Sequence, residues 1–429
     1  MYATNLRCYY CSTEYPLTNL SACPVCAKPG EESALNETLG VEYDVPALKR
    51  QLDRDEMERR PAGLWRYQEL LPIANPEFQI ATGAGGTRLA RLARLPEQFA
   101  WMKVEGSNPS GSFKDRPITV AACVALERGA RTLACLTSGN IGSALAAVAA
   151  KAGVPALVML LASAGGVAQG VAVSMEKYVQ VSAYGATVVT PVGGDLGKLY
   201  TLADTIEEEF GWLFMHTMQA YQPDGDKTTA FEICEQLDWK APAAVFVPTG
   251  TGTNLFGMWQ GFMLFKELGF IDRVPRMFAV QPVGAASLSV AMDAGLEVPA
   301  VLAQAIPNSA PPISHRVSGY HAYKAIRESG GDAVAVSDDE MLTALKDLAA
   351  YEGIYCEVAS ASALAGIRRA LTRKLLDEEE ARQYGVVGVL TSHGLKNTLA
   401  LSRQFSAPTQ VEASWKALLP YVRGVESKN

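Results

Sequence analysis

No stretch of about 18 consecutive apolar residues occurs in the 429-residue chain, so no membrane-spanning helix is expected. Runs of basic residues are missing too, and 38 Lys and Arg stand against 45 Asp and Glu, a net charge of −7. That balance excludes a general nucleic-acid binder. The first residues, MYATNLRCYYC, lack the apolar core of a signal peptide, so a soluble, cytoplasmic protein is expected. Neither an internal repeat nor a low-complexity segment is visible. What remains is an ordinary globular profile, 48% hydrophobic and 19% charged. Its length suits about two to three domains.

The eight cysteines fall into two groups. Cys123, Cys135, Cys234 and Cys356 lie in apolar segments and read as reduced core residues, which suits a reducing compartment. Cys8-Tyr9-Tyr10-Cys11 and Cys23-Pro24-Val25-Cys26 form two C-x-x-C pairs with eleven residues between them. Each pair can turn two sulfurs toward one metal, and four thiolates make a closed, structural zinc site. Two disulfides or a redox pair are the other readings.

Beyond about residue 130 the pattern alternates. Apolar runs such as RTLACLT, PALVMLL, AAVFVP, MFAVQP and VVGVLTS read as strands. Between them lie helical patterns, including SALAAVAAKAG, KTTAFEICEQLDW and DDEMLTALKDLAAYEG, the last opened by a Ser337–Glu340 capping box. Alternation of this kind implies an α/β protein whose parallel sheets are covered on both faces. Ligands in such folds bind beyond the C-terminal ends of strands. Four unusual loops stand at such positions: Gly106–Pro117, Thr137–Asn140, Thr249–Asn254 and Thr391–Gly394.

Backbone N–H groups from Gly250 through Thr251, Gly252, Thr253 and Asn254 can surround a compact anion at a helix start. Leu255 stands where a third glycine of a dinucleotide fingerprint belongs, and no Gly-Lys-Ser/Thr of an NTPase loop follows. A turn with incidental glycines is the plainer reading. Thr137, Ser138 and Asn140 offer two hydroxyls and an amide to a carboxylate, or only an ordinary helix cap. Lys114 precedes Asp115-Arg116-Pro117. A helix start and a neighbouring Arg116 both lower a lysine pKa, and a deprotonated amine can attack a carbonyl. The plainer alternative is a solvated Lys-Asp pair. Together the three loops describe a pyridoxal phosphate (PLP) enzyme acting on an amino acid.

SNPSGSFKDR resembles the lysine motif of threonine synthases and of the wider fold-type II, tryptophan synthase β-like, PLP enzymes. TSGNIGSALAAVAAKAG, DGDKTTAFEI, the glycine loop with GMWQGF, FAVQP, EVASASALAGI and VVGVLTSHGLKN follow in the family's order over about residues 80–400. The resemblance implies two parallel-sheet α/β domains behind a zinc ribbon. Its expected bounds are 1–30 for the ribbon, 105–220 for a small domain, and 31–104 plus 221–429 for a large one. It makes Lys114 the Schiff-base lysine and proton shuttle. Asn140 would bond the cofactor's 3′-oxygen, and Thr137, Ser138 and Asn140 would line the substrate carboxylate. Gly250, Thr251, Gly252, Thr253 and Asn254 would hold the phosphate, Thr391 would face the pyridine nitrogen, and Phe113 would pack near the ring. A homodimer is implied as well.

Some family positions differ. SAGGVAQGVAVSMEK (163–177) has no early lysine, Ala220 replaces an asparagine, and Ile141 replaces a threonine. PPISHRVSGYHAY (311–323) stands in place of the family's Arg-bearing segment. His315, Arg316 and His321 there are candidates for an anionic group, Arg316 foremost because it can grip one with two bonds. The implied reaction converts O-phospho-L-homoserine and water to L-threonine and phosphate. A β-replacement or β-elimination enzyme of the same fold remains open, either cysteate synthase-like on O-phosphoserine or an amino-acid ammonia-lyase. So does a non-catalytic PLP-binding or zinc-ribbon module.

Overall fold

The computed structural model describes residues 1–28, 31–137, 139–160, 175–191, 196–215, 219–398, 402 and 408–426. Ser138 and most of the 163–177 segment lie outside them.

The chain opens with an antiparallel sheet of order β2-β1-β3, formed by β1 (Ala3–Cys8), β2 (Glu14–Tyr15) and β3 (Leu39–Tyr43). Residues 39–43 form no continuous apolar run, yet Leu39 and Val41 are buried and β3 pairs with β1 along its length. Two buried apolar side chains are too short a signal to announce a strand.

The remaining strands are β4 (Leu89–Arg91), β5 (Ala100–Val104), β6 (Leu133–Thr137), β7 (Ala156–Leu160), β8 (Thr187–Val189), β9 (Leu213–Met215), β10 (Ala244–Pro248), β11 (Arg276–Pro282), β12 (Asp332–Val336) and β13 (Val386–Leu390). They build two further sheets. One has the order β8-β7-β6-β9 and is parallel throughout. The other has the order β12-β11-β10-β13-β5-β4 and is parallel except for the edge pair β4–β5. Every residue of β6, β10 and β13 is buried. Helices cover both faces, which explains why these strands are continuous apolar runs rather than alternating ones. The capping box at Ser337 and Glu340 is formed in full.

A buried charged cluster fixes the approach to the Lys114 loop. Arg116, fully buried, donates to Glu105 Oε2 at 2.7 Å and to Glu232 Oε1 at 2.7 Å. Lys103 Nζ, also fully buried, donates to Glu232 Oε2 at 2.7 Å. The cluster ties β5 to helix Asp115–Glu127 and helix Gln222–Gln236. These two helices cross at Gly225, where an added Cβ would lie 2.4 Å from the Arg116 carbonyl oxygen. Only glycine admits that approach.

Candidate active site

Lys114 is the N-cap of helix Asp115–Glu127, as its sequence context predicts. Its amine sits 4.7 Å from the Phe113 ring centroid. Burial lowers the amine's pKa, and the carboxyls of Asp226 and Glu37 push it back up. Arg116 is not the cause expected from sequence, because its guanidinium turns into the Glu105–Glu232 cluster and is neutralised there. Asp226 is itself buried, and neither carboxylate oxygen has a hydrogen-bond partner. Burial raises its pKa while Lys114 opposes the rise.

The Lys114 loop lies backbone to backbone against the loop after β13. Phe113 N donates to Thr391 O at 2.9 Å, and His393 N donates to Gly111 O at 2.9 Å. Gly106 permits the contact, since a Cβ there would lie 2.8 Å from His393 N. The Thr391 and Ser360 hydroxyls are 3.0 Å apart. Asn140 Nδ2 reaches Ser392 Oγ at 3.4 Å, so the loop after β6 joins the same cluster.

The glycine loop follows β10 and runs into helix Thr253–Leu268. Gly252 has φ +104°, and a Cβ there would lie 2.3 Å from Ala322 Cβ. Glycine is therefore required at this turn. Gly319 N donates to Thr251 O at 2.7 Å, and Ser318 Oγ donates to Gly250 O at 2.7 Å. His315 lies against Gly250, its Cδ2 only 2.7 Å from where a Cβ would stand. Thr253 Oγ1 donates to Glu37 Oε2 at 3.4 Å. Glu37, from the segment before β3, was not among the sequence candidates.

Arg316 is not brought to these loops. It pairs with Glu32 at 2.5 Å and donates to Leu302 O at 3.0 Å, with 42% of its side chain exposed. Both side chains of this pair are exposed, at 42% and 47%. The cation beside the Thr137–Asn140 loop is instead Lys177, on helix Met175–Ala183. A Cβ at Gly139 would lie 3.3 Å from Lys177 Nζ, which is 3.7 Å from Glu357. Sequence reading missed it because the lysine closes the segment searched for an early one. Behind it Lys396 Nζ donates to Ser143 Oγ at 3.0 Å and to Gln180. Burial and the neighbouring Lys177 bring the Lys396 pKa down to about 8.

Several polar atoms here are buried without a hydrogen-bond partner: Asn140 Oδ1, both polar atoms of Asn254, and the Asp226 oxygens. Orphaned groups of this kind in one site fit a polar ligand, and the donor set fits pyridoxal phosphate.

Beside the N-terminal sheet the sulfurs of Cys8, at the end of β1, and of Cys11, Cys23 and Cys26 lie within 4.8 Å of one another. Cys8–Cys26 and Cys11–Cys23 are 3.5 and 3.6 Å apart, and all four cysteines are free. Converging thiols fit structural zinc. A Cys8→Ser protein is expected to lose zinc from about one per chain to near none and to melt at a lower temperature. Metal analysis with thermal denaturation checks this.

The ribbon is seated on the glycine-loop helix. Tyr9 stacks edge-on against Phe256 at 4.9 Å and accepts from Gln260 Nε2 at 2.9 Å. No helix among the described residues is long and apolar enough to cross a membrane.

The family model for pyridoxal-phosphate-dependent enzymes matches residues 80–391. Threonine synthase of Methanosarcina acetivorans is 34% identical over 428 residues, covering 98% of this chain and 99% of its own. That of Methanocaldococcus jannaschii is 34% identical over 390 residues, covering 89% and 92%. Among solved structures, maize serine racemase superposes with a TM-score of 0.61 at 19% identity, covering 80% of this chain and 97% of its own. A processed threonine deaminase from Solanum lycopersicum gives 0.62 at 19%, covering 80% and 94%. These two show the fold, the fold-type II arrangement. With its lysine, asparagine and glycine loops gathered in one place, the chain belongs to the pyridoxal-phosphate-dependent enzymes, in the threonine synthase family.

Proposed function

We propose that this enzyme converts O-phospho-L-homoserine and water to L-threonine and phosphate. The observation that supports it is a buried ammonium, Lys177, beside the Thr137–Asn140 loop. The substrate carries two anionic ends, and this corner offers a helix start for one and a lysine for the other. The relatives named threonine synthase support the same reading.

When bound, pyridoxal phosphate supplies an electron sink for the carbanion at the amino acid's α-carbon. Lys114 would hold the cofactor and move protons at its Nζ. Asn140 would meet the 3′-oxygen, Gly250 to Asn254 the phosphate, and Thr391 the ring nitrogen. A neutral hydroxyl at that nitrogen leaves the ring unprotonated, which suits elimination and replacement. Thr137 and Asn140 would orient the substrate carboxylate. Homodimeric assembly and a cytoplasmic setting belong to the same proposal.

The test is phosphate release from O-phospho-L-homoserine by the PLP-loaded enzyme, with threonine assayed alongside. Equal amounts support the reading. Release from O-phosphoserine alone would replace it with the β-replacement or β-elimination reading. Lys177→Met is expected to raise KM for the phosphorylated substrate about 10- to 100-fold, the worth of one charge-assisted hydrogen bond. An unchanged KM would remove Lys177 from the substrate site.

A further inference from the structure

The glycine loop has a neighbour that a phosphate cradle ordinarily excludes. Glu37 reaches it from the N-terminal segment, outside the 80–391 family match. Its Oε2 accepts from Thr253 Oγ1 at 3.4 Å and lies 3.7 Å from His321 Nε2. Glu37 O accepts from His321 N at 3.2 Å. Glu37 is also pinned from behind, because Tyr9 N donates to Thr38 O at 2.8 Å. The carboxyl is therefore built into the cradle.

We propose that Glu37 is part of the cofactor-phosphate site and acts there as a protonated acid, so that binding the phosphate takes up one proton. This rests on the reading of Gly250–Asn254 as the phosphate loop. Two anions that share one buried site cannot both keep their charge. A phosphate dianion beside an ionised Glu37 meets that penalty, and a protonated Glu37 donates a hydrogen bond instead. The proton comes from solvent and is shared between carboxyl and phosphate; no covalent bond changes.

The surroundings leave Glu37 free to do this. Burial already raises its pKa to about 7, with Thr251, Lys114 and Thr253 pulling the other way. His321 offers no countercharge, since burial brings it down to about 3. Across the loop His315 is lowered by burial and then by Lys114. Gln219 and Pro223, which line the same small cavity, are uncharged. Lys114 is the cation that faces Glu37, and Asp226 shares it.

The experiment compares pyridoxamine 5′-phosphate with pyridoxamine, neither of which bonds covalently to Lys114, on the full-length zinc-loaded protein. Affinities are read by ligand fluorescence from pH 6.5 to 8.5. In the parent, the preference for the phosphorylated probe is expected to fall about tenfold per pH unit above pH 7, the slope of one linked proton. In Glu37→Gln, whose amide still donates, the preference is expected to stay high and nearly flat. Equal slopes in the two proteins would overturn the role of Glu37. No preference for the phosphorylated probe in the parent at any pH would instead overturn the phosphate-loop reading. If Glu37→Gln fails to fold, calorimetry of the parent at pH 7.5 in buffers of different ionisation enthalpy decides. About one proton more taken up with pyridoxamine 5′-phosphate than with pyridoxamine supports the proposal, and none overturns it.

Discussion

The Lys114→Ala protein is expected to release phosphate from O-phospho-L-homoserine at least about 10²–10⁴-fold more slowly than the parent, the share of a positioned proton-transfer group alone. If the amine acts in the chemical step as proposed, the loss should fall on kcat and kcat/KM together. Lys177 Nζ lies 3.7 Å from Glu357 Oε1, and Lys396 Nζ donates to Ser143 Oγ and to Gln180. Folding should survive, because Lys114 makes none of the buried ion pairs that hold helix Asp115–Glu127. Far-ultraviolet circular dichroism and zinc content serve as controls. Parent-level activity in this variant would remove Lys114, and with it the mechanism.

The second large effect lies two residues on. Arg116→Leu is expected to destabilise the fold by about 3–5 kcal/mol, the usual loss when one member of a buried ion pair is removed. Glu105 and Glu232 would be left in the core with Lys103 as their one remaining charged partner among the contacts described. The urea midpoint is the measurement. The effect should also depend on pH. Burial alone would raise the Glu232 carboxyl, but the Arg116 guanidinium and the Lys103 ammonium outweigh it and hold the pKa well below the usual range. A depressed carboxylate stabilises the native state above its unfolded pKa of about 4.3 and loses that contribution as pH falls through the folded value. The parent's advantage over Arg116→Leu should therefore be full at neutral pH and shrink in strong acid. A midpoint difference that stays constant down to pH 2 would contradict this electrostatic account.

These two neighbours show what one sequence can reveal. The Lys-Asp-Arg triplet was legible as chemistry because small residues before it and a proline after it mark a loop that enters a helix. The place of Lys114 at a helix start was legible, whereas the structural part played by Arg116 was not. Arg116 takes its role from Glu105, 11 residues before it, and Glu232, 116 after it, and no local pattern announces such partners. The parallel sheets were legible because their strands are buried on both faces and read as unbroken apolar runs. β3 was not, with two buried apolar side chains in a polar stretch. Arg316 was chosen on side-chain chemistry alone, and in the structure it pairs with Glu32 and Leu302 O instead. Lys177 and Glu37 come to the site through topology, one on a helix after β7 and the other on the segment that leads into β3.

The strand order carries a consequence for how the enzyme is made. β13 lies between β10 and β5, at the middle of the six-stranded sheet, although it is the last strand in sequence among the described residues. While the ribosome is still translating residues before Val386, β10–β12 can pair with one another, but the inner edges of β10 and β5 have no partner. Those edges belong to apolar strands, and exposed edges of that kind invite wrong pairing. The sheet, and the loops at its ends, can close only once the final strand has left the exit tunnel. A nascent chain stalled short of Leu390 would present two half-sheets, the form on which a chaperone acts.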